Sequence, residues 1–261
     1  MPGKLQLYSV FHKAFHQPHA AYVLPIHAGK ALSQLELNIL GDNTGDHISS
    51  LNSTFCELTV LYWIWKNASR DTDLFGLCHY RRYFAAKPML NALKPARILA
   101  YEPTPENIDA VLTPALEESI IAELNSADVL VQQPMLIHRN KQGSFNLEQH
   151  YKMDHIASDW NALMETIRDL YPDYAKTLPA FNQSTKMSFF NMMVAPWGVW
   201  DGYLQWLFDI LFEVKNRVSV SENAYQARVF GFMSERLMNL YIMHNQLKPT
   251  YLPVAVFDKV K

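Results

Sequence analysis

Apolar and polar positions along this chain alternate between two rhythms, one of short strands and one of amphipathic helices. Leu5 to Val10 alternates and then turns apolar, which predicts a first strand ending in Phe11-His12-Lys13. Pro25-Ile26-His27-Ala28-Gly29 reads as a loop. Leu40 to Ser50 is dense in turn formers and predicts a long irregular loop. Thr54-Phe55-Cys56-Glu57 has the form of a capping box opening a helix to about Asn67, which gives Glu57 a structural role. Leu58, Leu61, Tyr62 and Trp65 form that helix's apolar face. Leu74 to Cys78 is a short apolar run, the pattern of a buried strand.

Lys87 to Pro114 reads as irregular and proline-rich, and Thr113 then caps a helix with Pro114 at its first position, ending near Asn125. Asp128 to Pro134 reads as another buried strand. Leu147 to Tyr171 has helical spacing with a break near Ser158, which caps the second part. Met187 to Ala195 predicts a strand carrying Asn191, and Trp197 to Val214 an aromatic amphipathic helix. A further helix is predicted over Tyr225 to His244, with Glu235 near its start behind Ser234. Tyr251 to Phe257 predicts a closing strand. Strands alternating with helices indicate the α/β class, and without repeat or linker the chain reads as one domain, 1–261.

The strand over Leu74 to Cys78 ends abruptly in His79, Tyr80, Arg81 and Arg82. Ligands of open α/β sheets bind at the carboxyl ends of strands. Two guanidiniums, an imidazole and a phenol delivered there suit an anion, because Arg makes bidentate contacts with phosphate or carboxylate. The bland alternative is a set of charges that caps a strand and pairs with surface acids.

Composition narrows the picture. Of 261 residues, 49% are apolar and 18% charged, so the chain is globular. Its net charge of −2 argues against a general nucleic-acid binder and makes any anion site local. Cys56 and Cys78 lie in apolar segments and are expected as free thiols in a reducing cytoplasm. Cys78 and His79, as strand neighbours, point to opposite faces. No apolar run is long enough for a transmembrane helix. The aromatic content, six Trp, 13 Tyr and 14 Phe, fits a large core, a sugar cleft or a membrane contact equally.

Several segments in one order resemble a bacterial polysaccharide-biosynthesis family. They are His12-Lys13, the Asp42 to Ser50 loop, Cys56 to Thr59, His79 to Phe84, Glu148 to Tyr151, His155, Asp159, Phe190-Asn191-Met192, Trp206 to Asp209, Gln226 to Phe232 and Ser234 to Leu237. The family was long described as of unknown function, and members have since been assigned as galactofuranosyltransferases. The likeness covers nearly the whole chain and is weakest over Lys87 to Pro114, which has the character of an insertion.

The resemblance implies a GT-A-like fold, a mixed central sheet flanked by helices. It implies inverting transfer of galactofuranose from UDP-galactofuranose to a glycan or lipid-linked glycan acceptor. The setting would be O-antigen, capsule or exopolysaccharide assembly at the cytoplasmic face of the inner membrane, with a peripheral membrane or synthase-complex contact. The alternatives are a transferase using UDP-galactopyranose or another UDP-sugar, and a non-catalytic glycan-binding subunit.

GT-A relatives place a metal-binding Asp-x-Asp at the end of the strand matching Leu74 to Cys78. Here Asp71-Thr72-Asp73 precedes that strand, about 17 Å from where the phosphates belong. The expectation is therefore a site without a metal cofactor, Mn or Mg staying open, in which Arg81 and Arg82 stabilise the leaving diphosphate. If the strand continued through them, only one would face it. An inverting transfer needs one general base. Glu235, Asp154 and Asp159 are the candidates, with Glu148 a further acid, although acids in a first helical turn also suit the helix dipole. His12, Lys13, Asp42, Asn43, Asp46, His79, Tyr80, His155 and Asn191 complete the expected substrate-binding set. Arg228 and Arg236 read equally as structural ion-pair partners, and Trp197, Trp200 and Trp206 as core.

Overall fold

A computed structural model describes residues 3–87, 97–137 and 143–258. The first strand, β1 (Leu5–Phe11), lies between two parallel neighbours, β2 (Val23–His27) and β4 (Leu74–His79). The main path of the sheet runs β11-β7-β10-β4-β1-β2-β3, where β3 is Leu40–Gly41, β7 Val129–Gln132, β10 Met193–Pro196 and β11 Pro249–Leu252. Strand β10 is antiparallel to β4 and β7, which makes the sheet mixed. The chain leaves β1 on one side towards β2 and β3 and returns on the other at β4. The carboxyl ends of β1 and β4 thus flank a topological switch point.

Alternation along the strands buries both faces. Tyr8, Val10, Phe75, Leu77, Met193 and Ala195 face one core. Leu5, Leu7, Leu74, Cys78 and Val194 face the other. Helices α2 (Leu58–Asn67), α5 (Leu147–Asp154), α6 (Ala157–Leu170), α8 (Trp197–Arg217) and α9 (Val229–His244) cover the first face. Helices α3 (Pro105–Val111) and α4 (Pro114–Leu124) cover the second. Trp197, Trp200 and Trp206 are buried in the first core. Among the described residues no helix is long and apolar enough to cross a membrane.

Gly76 sits at the centre of this sandwich. A Cβ there would lie 2.7 Å from Val194 Cγ2, 2.8 Å from Leu7 Cδ2 and 3.0 Å from the Met193 carbonyl oxygen. Gly76→Ala is therefore expected to cost about 1–3 kcal/mol by overpacking. Urea denaturation measures it, and a loss below about 0.5 kcal/mol would mean that β10 can move away from β4.

Several elements differ from the sequence expectation. Pro25 lies in strand β2 rather than a loop. Beyond β2, strand β3 pairs only Ile26 and His27, so Pro25 occupies an open edge where no ladder donor is needed. No capping box opens the second helix. Helix α1 (Asn52–Phe55) ends at Cys56, whose φ of 51° and ψ of −129° break the chain before α2 starts at Leu58. Lys87 to Pro114 is not wholly irregular: it contains β6 (Ile98–Tyr101) and α3, while 88–96 lie outside the described residues.

The helix break falls at His155-Ile156, and the N-cap position is Ile156 rather than Ser158. Met187 to Ala195 is not one strand. It comprises β9 (Lys186–Met187), which pairs β8 (Met135–Leu136), then a turn holding Asn191, then β10. Helix α9 begins at Val229, which puts Glu235 in its second turn rather than near its start. The closing strand is split at Pro253 into β11 and β12 (Val254–Phe257).

Candidate active site

The switch point opens into a cleft of about 860 Å³. That size suits a substrate-sized ligand. One wall comes from the strand ends. His12 and Lys13 follow β1, and His79 ends β4 with Tyr80, Arg81 and Arg82 after it. The strand does not continue through the arginines. Tyr80 and Arg81 make a tight turn, and Arg82 opens β5 (Arg82–Phe84), paired back on His79. The expected alternation therefore does not apply, and Arg81 and Arg82 both line the cleft. Arg81 is 3.2 Å from Asp258 Oδ1, and the Arg82 guanidinium lies 4.8 Å from the Phe190 ring centroid.

The opposite wall comes from α9 and the segment before it. Arg228 reaches the Cys56 thiol, its Nε 3.4 Å from Sγ, and lines the cleft; among the described residues it forms no ion pair. Lys13, Arg81, Arg82 and Arg228 thus gather positive charge around one space.

Two carboxyl groups form the floor. Glu57 Oε1 accepts from Asn191 Nδ2 at 2.6 Å. Glu235 Oε1 accepts the Phe190 N–H at 3.2 Å, and its Oε2 pairs with Arg236 at 3.1 Å. Burial pushes both acids above the ordinary carboxylate range, against the pull of Asn191 on Glu57 and of Arg236 on Glu235. The charge of Glu57 raises Glu235 further. The Glu235 side chain keeps 21% of its surface open.

The loop from Ser188 to Asn191 holds these groups in place. Phe190 and Asn191 have φ of 74° and 53°, left-handed conformations that a bulky residue such as Phe rarely adopts. Such strain persists where surrounding contacts over-determine it. Here the His79 ring donates from Nε2 to the Phe190 carbonyl oxygen at 2.6 Å. Burial, Arg82 and Arg228 push that imidazole down to about 4, so it stays neutral with Nδ1 unprotonated. The Asn191 amide also donates to Ser234 Oγ at 2.7 Å, and Gln132 Oε1 accepts the Phe189 N–H at 2.8 Å.

Behind the floor, Arg236 Nη2 lies 3.3 Å from His150 Nδ1, and His150 Nε2 lies 3.2 Å from Asp154 Oδ2. His155 stacks on Phe232 with centroids 4.0 Å apart and continues towards Tyr225 at the rim.

Of the residues expected from sequence, the cleft brings together His12, Lys13, His79, Tyr80, Arg81, Arg82, Asp154, His155 and Glu235. Asn191 sits just beneath, bonded to Glu57. Four expected residues fall elsewhere. Asp159 is buried in the first turn of α6, outside the cleft lining. Asp42 is fully buried and saturated by the backbone N–H groups of Gly29 and Lys30 and the hydroxyls of Ser49 and Thr59. Asn43 does not line the cleft, and Asp46 accepts from Tyr62 on the outer side of α2. Asp73 accepts the Gly3 and Lys4 N–H groups at the far end of β4.

Sequence reasoning missed Glu57 as a site residue. The signal was a lone acid among Phe55, Cys56 and Leu58, which the capping-box pattern explained away. The carboxylates of Glu57 and Glu235 are engaged with Asn191, Phe190 and Arg236. Among the described residues the cluster suited to a metal lies outside the cleft, at His16, His19 and Asp109.

Comparison with known proteins finds a family and a similar solved structure. Residues 6–246 match a family described as a domain of unknown function, DUF4422. The apo structure of WbbM, a bifunctional glycosyltransferase, superposes with a TM-score of 0.88 at 30% identity over 98% of this chain. The chain spans 46% of the length of that protein. No curated protein matches. The mixed sheet and its helical layers are those of a GT-A-like fold.

Proposed function

The chain belongs to the DUF4422 family, and on that premise we propose that its cleft catalyses inverting glycosyl transfer from a UDP-sugar to a glycan acceptor in polysaccharide synthesis. UDP-galactofuranose is the proposed donor, and the acceptor is a glycan or lipid-linked glycan. One observation carries the reading: four cationic side chains face two half-buried carboxyl groups of raised pKa across a single cleft at the ends of β1 and β4. The likeness to a bifunctional glycosyltransferase supports it.

In the proposed mechanism Glu235 takes the proton of the acceptor hydroxyl. That oxygen attacks the anomeric carbon from the face opposite the leaving group. The bond from the anomeric carbon to the diphosphate oxygen breaks, and its electron pair leaves with UDP. Arg82 and Arg228, helped by Lys13 and Arg81, stabilise the charge that builds there. Phe190 N–H and Arg236 fix the Glu235 carboxylate, so orientation is paid before the substrate arrives.

Calorimetric titration with UDP tests the donor site, first in EDTA and then with Mn²⁺. Binding is expected in EDTA, and Arg82→Ala is expected to weaken it about 10- to 100-fold, the worth of a charge-assisted hydrogen bond. Binding only with Mn²⁺ would keep a transferase and overturn the role of the guanidiniums. Absence of binding in both buffers would favour a glycan-binding subunit. Turnover of UDP-galactofuranose against UDP-galactopyranose then decides the sugar.

A further inference from the structure

Outside the cleft, the loop after β1 carries a second cluster of chemistry-bearing side chains. We propose that His16, His19 and Asp109 form a binding site for a borderline divalent cation, zinc in the first instance, that ties this loop to α3. The site is independent of the transferase reading.

Three observations support it. The ligand atoms converge. His16 Nε2 lies 3.1 Å and His19 Nδ1 2.8 Å from the same oxygen, Asp109 Oδ2, and all three residues bring ligand atoms within 4.8 Å of one another. In a tetrahedral zinc site with bonds of about 2.0–2.2 Å, neighbouring ligand atoms lie about 3.3 Å apart. The two shorter distances therefore need to open by only a few tenths of an ångström.

The carboxylate is also oriented from behind. The His19 backbone N–H donates to Asp109 Oδ1 at 3.2 Å, which leaves Oδ2 for the centre of the cluster. Supporting hydrogen bonds of this kind accompany metal-binding carboxylates.

The ligand mixture is selective as well. Two imidazoles and one carboxylate suit zinc, whereas Mg²⁺ and Ca²⁺ prefer oxygen ligands throughout. Three protein ligands leave a fourth position for water.

The placement gives the site a role. Helix α3 packs on the second face of the sheet, and the loop it meets starts with His12 and Lys13 of the cleft. Between them Phe15 packs on Tyr80, with ring centroids 5.2 Å apart. A cation here would staple α3 to the loop that supplies part of the cleft wall.

The test is zinc titration of chelator-treated protein by calorimetry, with bound metal counted by mass spectrometry. One zinc per chain is expected. His19→Ala and Asp109→Asn are each expected to weaken binding at least 10-fold, while His47→Ala leaves it unchanged. His19 is exposed, so its loss does not threaten the fold. Zinc should raise the melting temperature of the wild type and not that of the His16→Ala, His19→Ala double variant. Failure to retain zinc, or equal binding by wild type, His19→Ala and Asp109→Asn, would overturn the proposal and leave a hydrogen-bonded surface cluster. Displacement of zinc by equimolar Mg²⁺ or Ca²⁺ would overturn it too.

Discussion

Glu235→Gln is expected to bind UDP normally and to turn over about 10²- to 10⁴-fold more slowly, the usual loss for a general base. The amide keeps an oxygen for the Phe190 N–H, so the loop should hold. What disappears is the ability to take a proton. The pH profile gives a sharper reading. A base must be ionised to act, and burial together with the charge of Glu57 raises the pKa of Glu235. The acidic limb of kcat/KM should therefore lie above the ordinary carboxylate range and vanish in Glu235→Gln. Glu57→Gln removes a negative charge beside Glu235 while leaving an acceptor for Asn191. Its acidic limb should move to lower pH, with turnover largely kept. If instead Glu57→Gln loses the rate and Glu235→Gln keeps it, the two carboxyl groups exchange roles.

Asn191 is the second place where a single change should tell. Asn191→Ala removes the donor that satisfies Glu57 and places a Cβ residue without a local side-chain hydrogen bond at φ 53°. An unsatisfied buried polar group costs about 1–3 kcal/mol, and a left-handed alanine about 1–2 kcal/mol. The expected loss of stability is thus about 2–5 kcal/mol. Asn191→Gly restores the backbone freedom without the amide and should recover about 1 kcal/mol of it. Chemical denaturation of the three proteins separates the two contributions, provided the dependence on denaturant is unchanged. Equal stability of the Ala and Gly variants would remove backbone strain from the account. Loss of turnover in both, with UDP binding intact, would show that the loop positions the carboxyl groups rather than the donor.

The strand ends were legible in the sequence because abrupt changes from apolar to charged residues survive folding. The runs ending at His12-Lys13 and at His79 to Arg82 do meet in one cleft. The helices with long apolar faces were equally plain. What the pattern hid were places where one residue breaks a regular element. Cys56 carries no helix-breaking signature, yet its positive φ separates α1 from α2 and turns Glu57 into the cleft. Phe190 and Asn191 sit in an apolar run that alternation reads as strand, and tertiary hydrogen bonds override it. Asp42 shows the reverse error. A turn-rich stretch suggested a ligand-binding acid, but the carboxylate is consumed by backbone amides and hydroxyls of its own neighbourhood. Pattern reveals where polar groups gather and not which partners they already have.

The pairing of β12 bears on how the protein is made. The hairpin that carries Arg81 and Arg82 rests on β12, with Val254, Ala255 and Val256 opposite Phe84, Tyr83 and Arg82. The Phe257 N–H also bonds the Arg81 carbonyl oxygen. Residues some 170 positions apart in synthesis must therefore meet before the arginine turn is held. The parallel pairing of β1, β2 and β4 needs no residue beyond 79, whereas the arginine turn waits for the segment around 254–257. A chain shortened before Val254 is therefore expected to lose the support of the arginine turn, whatever it keeps of β1, β2 and β4.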